Sequence, residues 1–408
     1  MADTIPDIDG YQQHVKRSCG LFELARPDSE YVGKIMSKQQ PKLSCGLDTI
    51  NNKVVKICSK ELAIPMAIII GHSIEEGYVP SKFKLVRIIP LYKKGSADEY
   101  GNYRPVSLLS ALSKILEKVV CKQLMQYLRR DATLCPDQYG FRPYSQTTHV
   151  VHKLLNIISE NAMKNHVSVV TLLDLSKAFD CLRYDKLFFK LDKLGFSSHT
   201  LTWFKSYLSN RTQVVDLNGT ISHQLDMNLG VLQGSILGPI LFLLYVNDIN
   251  NCDTSAKFVK FGDDTTVISS APTLQEASWK MNMTMDKVFK WFQSNKLTLN
   301  PSKTRYMIFN CKDNTDTNHI NINGENIERV WRQGQEKSFK LVGIMIDDEL
   351  NWVDHINYIA KKISYANYSL NKARNRLTMN TKKLLYSGLI HSHLVYGCLL
   401  YTSPSPRD

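Results

Sequence analysis

Residues 257–270 read KFVKFGDDTTVISS. Two apolar, β-prone runs flank Gly262-Asp263-Asp264: Phe258, Val259 and Phe261 before it, Val267 and Ile268 after it. That pattern predicts two strands closing on a tight turn that carries adjacent carboxylates. Two acids side by side repel each other, and a cation bridging them to a phosphate is the usual chemical use of such a pair. A solvated Asp-Asp loop has the same sequence. The reading therefore depends on whether a third carboxylate, phosphate-binding cations and a nucleic-acid surface accompany the turn.

The nearest partner lies upstream. Ser168–Leu173, SVVTLL, is a near-continuous apolar run with β-branched members, as expected of a central strand buried on both faces. Asp174 ends it, and the alternatives for that carboxylate are a functional group at a strand exit or a helix N-cap. Between Asp174 and the turn the pattern predicts helices at Tyr184–Leu194 and His199–Leu208, then a hairpin of Thr212–Leu217 and Ile221–Met227 turned at Asn218-Gly219. Gly230–Gly238, GVLQGSILG, is a loop whose glycines permit close backbone approach; it enters an apolar helix ending near Asn247-Asp248.

Beyond the turn come an amphipathic helix over Leu274–Gln293, a strand over Thr304–Phe309 and a polar insertion turned at Asn323-Gly324. A strand over Phe339–Ile346 and basic helices over Trp352–Leu377 and Lys382–Tyr396 follow. This order implies an α+β fold, an antiparallel sheet backed by helices, with Asp174 on one strand and Asp263-Asp264 on the hairpin beside it. Three carboxylates converging there would hold two Mg2+ ions, the arrangement used for in-line phosphoryl transfer.

The N-terminal third is read more coarsely. Residues 1–40 show no period and are taken as an arm, and Leu62–Ile74 suits a helix interrupted by Pro65. Phe83–Tyr92 reads as extended and ends in Lys93-Lys94-Gly95. After Tyr103-Arg104-Pro105, apolar residues recur at helical spacing from Ser107 to Leu128, with Lys and Arg opposite. Asp137–Pro143 is a turn-rich connector before a helix over Thr147–Asn161.

The 408 residues exceed what one core supports, so two or three lobes are expected. The net charge of +13 favours a polyanionic partner. Its distribution says more: residues 79–130 hold eleven Lys/Arg against three acids and residues 355–400 seven against none, on either side of the acid-bearing centre. The nine cysteines are scattered without a CxxC pair, which argues against zinc and against a disulfide framework. The start lacks a signal-peptide core, and the longest apolar runs, Ala63–Ile70 and Pro239–Val246, are too short to span a bilayer.

From about Pro41 to Gly397 the chain resembles the reverse transcriptase of non-LTR (LINE-type, Jockey-like) retrotransposons. The blocks that carry the resemblance are GLDTI, IIPLYKKG, NYRPVSLLS, QYGFRP, LLDLSKAFD, GVLQGSILGPILFLLYVNDI, FGDDTTVI, WFQSNKLTLNPSKTRYMIF and FKLVGIMIDDELNWVDHI, in the family's order and spacing. It implies a right-hand polymerase: an N-terminal arm (1–40), fingers (41–165), a palm (166–335, with a motif-D region and insertion at 304–335), and a primer grip and helical thumb (336–397). The activity implied is RNA-directed DNA synthesis from an RNA template, a DNA primer and dNTPs, with two Mg2+ ions or Mn2+ in their place, in the nucleus and cytoplasm. The alternatives are a weakened or dead remnant that only binds nucleic acid, and an RNA-dependent RNA polymerase.

Position by position, the resemblance makes Asp174, the Leu175 carbonyl, Asp263 and Asp264 the metal ligands, with Asp263 the surer of the pair. Phe179 becomes the steric gate against a ribonucleotide 2′-hydroxyl, its structural alternative being a core aromatic, and Asp180 a hydrogen-bonding residue. Arg104 and Lys93 (or Lys94) grip the triphosphate. Gln233 and Gly234 form the loop against the incoming nucleotide, and Lys303 protonates the leaving pyrophosphate, with an ordinary surface lysine as the alternative. Leu341-Val342-Gly343 corresponds to the primer grip and the basic helices to a thumb tracking the duplex.

Two residues depart from the family pattern: Gly262 where Ala is usual, and Leu232 where Pro is usual. The first makes the motif GDD, the form typical of RNA-dependent RNA polymerases, while Phe179 argues for deoxynucleotides; the second frees the backbone before Gln233. No endonuclease block precedes the polymerase pattern. Residues 398–408 break from the family pattern, and one back-translation resembles a sequencing-library adapter, so the tail is expected to be non-native.

Overall fold

The computed structural model describes residues 20–311 and 319–396; the tail at 398–408 lies outside them. Its strands are β1 (Leu85–Tyr92), β2 (Tyr103–Leu108), β3 (Val167–Leu173), β4 (Arg211–Leu217), β5 (Thr220–Ile221), β6 (Leu225–Met227), β7 (Lys257–Phe261), β8 (Asp264–Ala271), β9 (Arg305–Phe309), β10 (Asn321–Ile322), β11 (Glu325–Asn326), β12 (Glu328–Arg329), β13 (Ser338–Leu341) and β14 (Ile344–Asp347). Helices fill much of the remainder, and the fold is α+β. The described residues divide into two compact units: those within 20–136, 176–252 and 291–298 in the first, those within 137–175, 253–290, 299–311 and 319–396 in the second.

In the first unit β1 is the hub, antiparallel to β2 and parallel to β4. The helix Ala111–Arg130 presents Ile115, Leu116, Val119, Val120, Leu124 and Leu128 to the interior at the expected spacing, and Ser110 caps it by accepting from Leu112 N–H at 3.2 Å. The helical reading from Ser107 is corrected here. Residues 103–108 pair with β1 from Arg87↔Leu108 to Tyr92↔Tyr103, because Pro105 disfavours helix before it and the pairing satisfies the backbone.

Pro65 does not interrupt its helix, which runs Ser59–Glu75. One face of that helix buries Ala63, Met66, Ala67, Ile70 and Ile74, and the helix Ser29–Ser37 packs on it closely. A Cβ on Gly33 would lie 3.2 Å from Ala63 Cβ. That burial offsets the roughly 3 kcal/mol an interior proline costs. The described part of residues 1–40 is likewise packed: Phe22 N–H donates to Gly195 C=O (2.7 Å), and Phe22 stacks on Tyr127 with ring centroids 4.9 Å apart.

The second unit is organised by β3. The sheet order is β12-β9-β3-β8-β7, antiparallel except for β12 on β9, and six of the seven β3 residues are buried. Val170, Val259, Ile268, Met307 and Phe309 pack against Val150, Leu154 and Ile158 of the helix Thr147–Met163.

The single strand expected over Phe339–Ile346 is instead the hairpin β13–β14, turned at Val342 (φ 41°) and Gly343 (φ 98°). The turn is held from outside, where the Tyr396 hydroxyl donates to Val342 C=O. Asp347 accepts the Glu349, Asn351 and Trp352 N–H groups at 3.0–3.1 Å and so sets the start of the helix Val353–Ala373. The last helical stretch starts earlier than Lys382 and is segmented: Met379–Tyr386, a π-helical turn Ser387–His391, then Ser392–Val395.

Candidate active site

The β7–β8 hairpin forms as its sequence requires. Phe261 pairs with Asp264, leaving Gly262 and Asp263 as a two-residue loop, and Gly262 has φ +67°. That positive φ suits the primed turns that match strand twist, and it is the conformation glycine adopts without penalty. Asp263 and Asp264 are both exposed at this end of the sheet. On the other side of β8, β3 ends with Leu173 opposite Thr265, so Asp174 emerges next to Asp264. The sheet register thus brings all three carboxylates to one edge.

One segment, residues 299–304, fixes Asp174. Its N–H donates to Thr304 Oγ1 (3.4 Å), its C=O accepts from Asn300 N–H (2.8 Å), and Leu175 bridges to Leu299. The same Asn300–Thr304 turn carries Lys303, whose Nζ lies 3.8 Å from Asp174 Oδ2. Both groups meet solvent, so this pair adds little to stability; its value is placement. The Asp264 carboxyl is pushed up to about 6 by burial and by the charges of Asp263 and Asp174. The residue as a whole is still exposed, so like-charge repulsion shares in the rise.

Among the described residues, no three or more His, Cys, Asp or Glu side chains come together closely enough to hold a metal ion by themselves, Asp174, Asp263 and Asp264 included. A hard divalent cation such as Mg2+ does not need one, since it keeps waters and takes substrate phosphates beside one or two carboxylates. The exposed Asp263 and Asp264 and the half-buried Asp174, whose charges bear on Asp264, are donors of the kind such an ion takes.

The other predicted residues cluster within the first unit. Arg104 pairs with Leu91 across β2 and β1, and Lys93 N–H donates to Asn102 C=O (2.8 Å), so both cations are exposed at the same end of this ribbon. Three residues along β2, Ser107 N–H donates to Gln233 C=O (2.8 Å). Gly234 has φ +130°, and a Cβ there would stand 2.5 Å from Ser107 O. Gln233 Nε2 donates to Asp180 Oδ1 (3.0 Å), and burial raises the Asp180 carboxyl while this bond opposes the rise. Phe179 stacks on Phe242 with centroids 4.6 Å apart, and its C=O accepts from Val231 N–H (2.8 Å). Leu232 is buried with Val86, Ile88 and Leu109, so packing anchors the loop where the family's usual proline is missing.

Residues 91–346 match the family described as reverse transcriptase (RNA-dependent DNA polymerase). The chain belongs to this family. The matched span runs from β1 to β14 and holds every candidate residue from Lys93 to Lys303. The chain is similar to the RNA-directed DNA polymerase from mobile element jockey of Drosophila melanogaster, at 26% identity over 93% of this chain and 42% of that protein. It is also similar to two probable RNA-directed DNA polymerases of the same species. The match to that from transposon BS is 26% identical over 88% of this chain and 40% of that protein; the match to that from transposon X-element is 24% over 91% and 41%. The chain thus spans about two fifths of the length of these relatives.

Two residues of the reverse transcriptase fold escaped the sequence reading. Glu117 is fully buried; its Oε2 accepts from Ile236 N–H (2.5 Å) and its Oε1 from the Tyr207 hydroxyl (2.8 Å), tying the loop after Gln233-Gly234 to the helix Ala111–Arg130. Its signal was an acid on the apolar stripe, one position after Leu116. The second, Gln138, was read only as part of a connector. Its side chain meets both backbone polar groups of Gly262, a contact across 124 residues that no local pattern announces.

Proposed function

We propose that this chain is an RNA-directed DNA polymerase that extends a DNA 3′-hydroxyl with dNTPs on an RNA template. The observation that carries the proposal is the convergence of Asp174, Asp263 and Asp264 at one sheet edge in a member of the reverse transcriptase family. Asp174, the Leu175 carbonyl, Asp263 and Asp264 would hold two Mg2+ ions, or Mn2+ in their place. When bound, these supply charge neutralisation and an acidified 3′-hydroxyl. Arg104 and Lys93, exposed on the β1–β2 ribbon, bind the triphosphate as fixed cations, and Gln233, held by Asp180, presents the loop that positions the base.

Phe179 closes off the space a 2′-hydroxyl would need; its stacking on Phe242 is compatible with that role, because a gate must be rigid to exclude. Lys303, whose Nζ lies 3.8 Å from Asp174 Oδ2, would hand a proton to departing pyrophosphate. In this reading residues 41–165 are fingers, 166–335 palm, and 336–397 primer grip and thumb, the last tracking the duplex with its basic helices. No described helix is long and apolar enough to cross a membrane, and a retroelement polymerase of this kind would work in the cytoplasm and nucleus.

The test is extension of oligo(dT) on poly(rA) with dTTP against rTTP. Wild type is expected to favour dTTP, and Phe179→Ala to narrow that preference by about tenfold or more through loss of a steric contact. A wild-type preference for rTTP would overturn the gate and move the chain toward RNA synthesis. Nucleic-acid binding without incorporation would leave only a binding role.

A further inference from the structure

We propose that Gln138 is a positioning residue for the acidic turn, acting through Gly262 to hold Asp263 and Asp264 in their cation-binding arrangement; the inference rests on the polymerase reading above. Residues 137–140 run alongside β7: Tyr139 N–H donates to Lys260 C=O and Lys260 N–H to Asp137 C=O, both at 2.9 Å. This places Gln138, only 2% exposed, against the hairpin loop. Its Oε1 accepts from Gly262 N–H (3.0 Å) and from Gly140 N–H (2.8 Å), and its Nε2 donates to Gly262 C=O (3.2 Å). The amide orientation follows from its partners, since two N–H groups face one end and a carbonyl faces the other.

The tip of a two-residue hairpin ordinarily leaves its backbone groups to water, so its shape is loosely held. Here one buried side chain satisfies both the donor and the acceptor of the residue that precedes the two acids. That matters because the acids repel each other, and a turn free to move would relax by splaying them. The bracket is tight from two more directions. A Cβ on Gly140 would lie 2.1 Å from Gly262 N, and a Cβ on Gly262 would lie 3.1 Å from the Phe141 ring. Arg142 Nη1 in turn donates to Gln138 C=O at 3.1 Å, fixing the backbone that carries the amide.

A side-chain amide carries an acceptor oxygen and a donor nitrogen side by side, the pair that the N–H and C=O of one residue need; asparagine is one methylene short, and glutamate offers acceptors alone when ionised. A bland alternative is that Gln138 merely satisfies a buried turn. The two differ in what they do to the cation. If Gln138 only stabilises, its loss lowers the melting temperature and leaves metal dependence alone. If it positions the acids, its loss weakens cation binding in protein that is still folded.

The experiment uses the full chain as wild type, Gln138→Met (similar volume, no hydrogen bonds) and Gln138→Glu (acceptor kept, donor lost, charge added). Mn2+ binding is followed by loss of the free-ion electron paramagnetic resonance signal, in a complex with chain-terminated oligo(dT), poly(rA) and dTTP where no chemistry occurs. Melting temperatures in EDTA report folding. Both variants are expected to raise half-saturating Mn2+ by about tenfold, the usual effect of removing a group that orients a ligand, in protein still folded at the assay temperature. In active extension, the same variants are expected to lower kcat with KM for dTTP little changed. Unchanged Mn2+ half-saturation in folded Gln138→Met overturns the proposal, as does a shift seen only where the variant has begun to melt. A wild type that incorporates no dTTP defeats the polymerase reading instead, while its Mn2+ titration against Gln138→Met still judges the clamp.

Discussion

Asp264 bears the electrostatic consequence of placing three carboxylates at one sheet edge. Its folded value of about 6 lies above the ordinary 3.8. In metal-free protein the folded state therefore holds the proton more tightly, and this contribution to stability is fully present below about 3.8 and lost as pH rises through about 6. Asp264→Asn is expected to remove that dependence and, in EDTA at pH 7.5, to raise stability by on the order of 1 kcal/mol after discounting for solvent screening. Denaturant melts of the two proteins at pH 5 and pH 7.5 check this, and equal pH profiles would contradict it. One residue earlier, Gly262 at φ +67° would strain any other side chain by roughly 1 kcal/mol. Gly262→Ala should cost about that much in a melt, with the Phe141 ring giving way, and leave incorporation within about threefold because the hydrogen bonds to Gln138 use backbone atoms only.

Elements explain how far the sequence could be read. β3 and the β7–β8 hairpin were legible because their signals are local: a β-branched apolar run and a glycine-bearing turn between two such runs. The placement of Asp174 beside Asp264 followed from element order and is carried by the register Leu173↔Thr265. Where reading failed, competing forces were long-range. Val342 sits at φ 41° against its strand propensity, so nothing but Gly343 hinted at a turn, which is then latched by Tyr396 far along the chain. Gln138 and Glu117 act across more than a hundred residues, and their neighbours in sequence say nothing of their partners. The loop before the helix Leu237–Tyr245 makes its own prediction. Gly234→Ala places a Cβ against Ser107 O, so the loop must lift from β2. In extension assays KM for dTTP should rise about tenfold or more, and the melting temperature should fall as well, because φ +130° strains alanine and lifting the loop disturbs the buried Val231 and Leu232; an unchanged KM would remove the loop from nucleotide positioning.

At the scale of the molecule, the proposed template-directed phosphoryl transfer asks for two things, acids that hold cations and cations that hold phosphates, and the sequence carries both. The excess of Lys and Arg in residues 79–130 and 355–400 suits a polyanion, while at the edge holding Asp174, Asp263 and Asp264 acids are pressed together against repulsion. The central proposal is that these carboxylates bring divalent cations to the phosphates of the nucleotide and primer. The most direct measurement is single-nucleotide extension of a DNA primer on four RNA templates differing only in the next base, with wild type and Asp174→Asn. Wild type is predicted to add only the complementary dNTP, dependent on Mg2+ or Mn2+, and Asp174→Asn to slow addition on the order of 10^3-fold while still binding the duplex. Extension that ignores the template base, or that survives in Asp174→Asn, would contradict it.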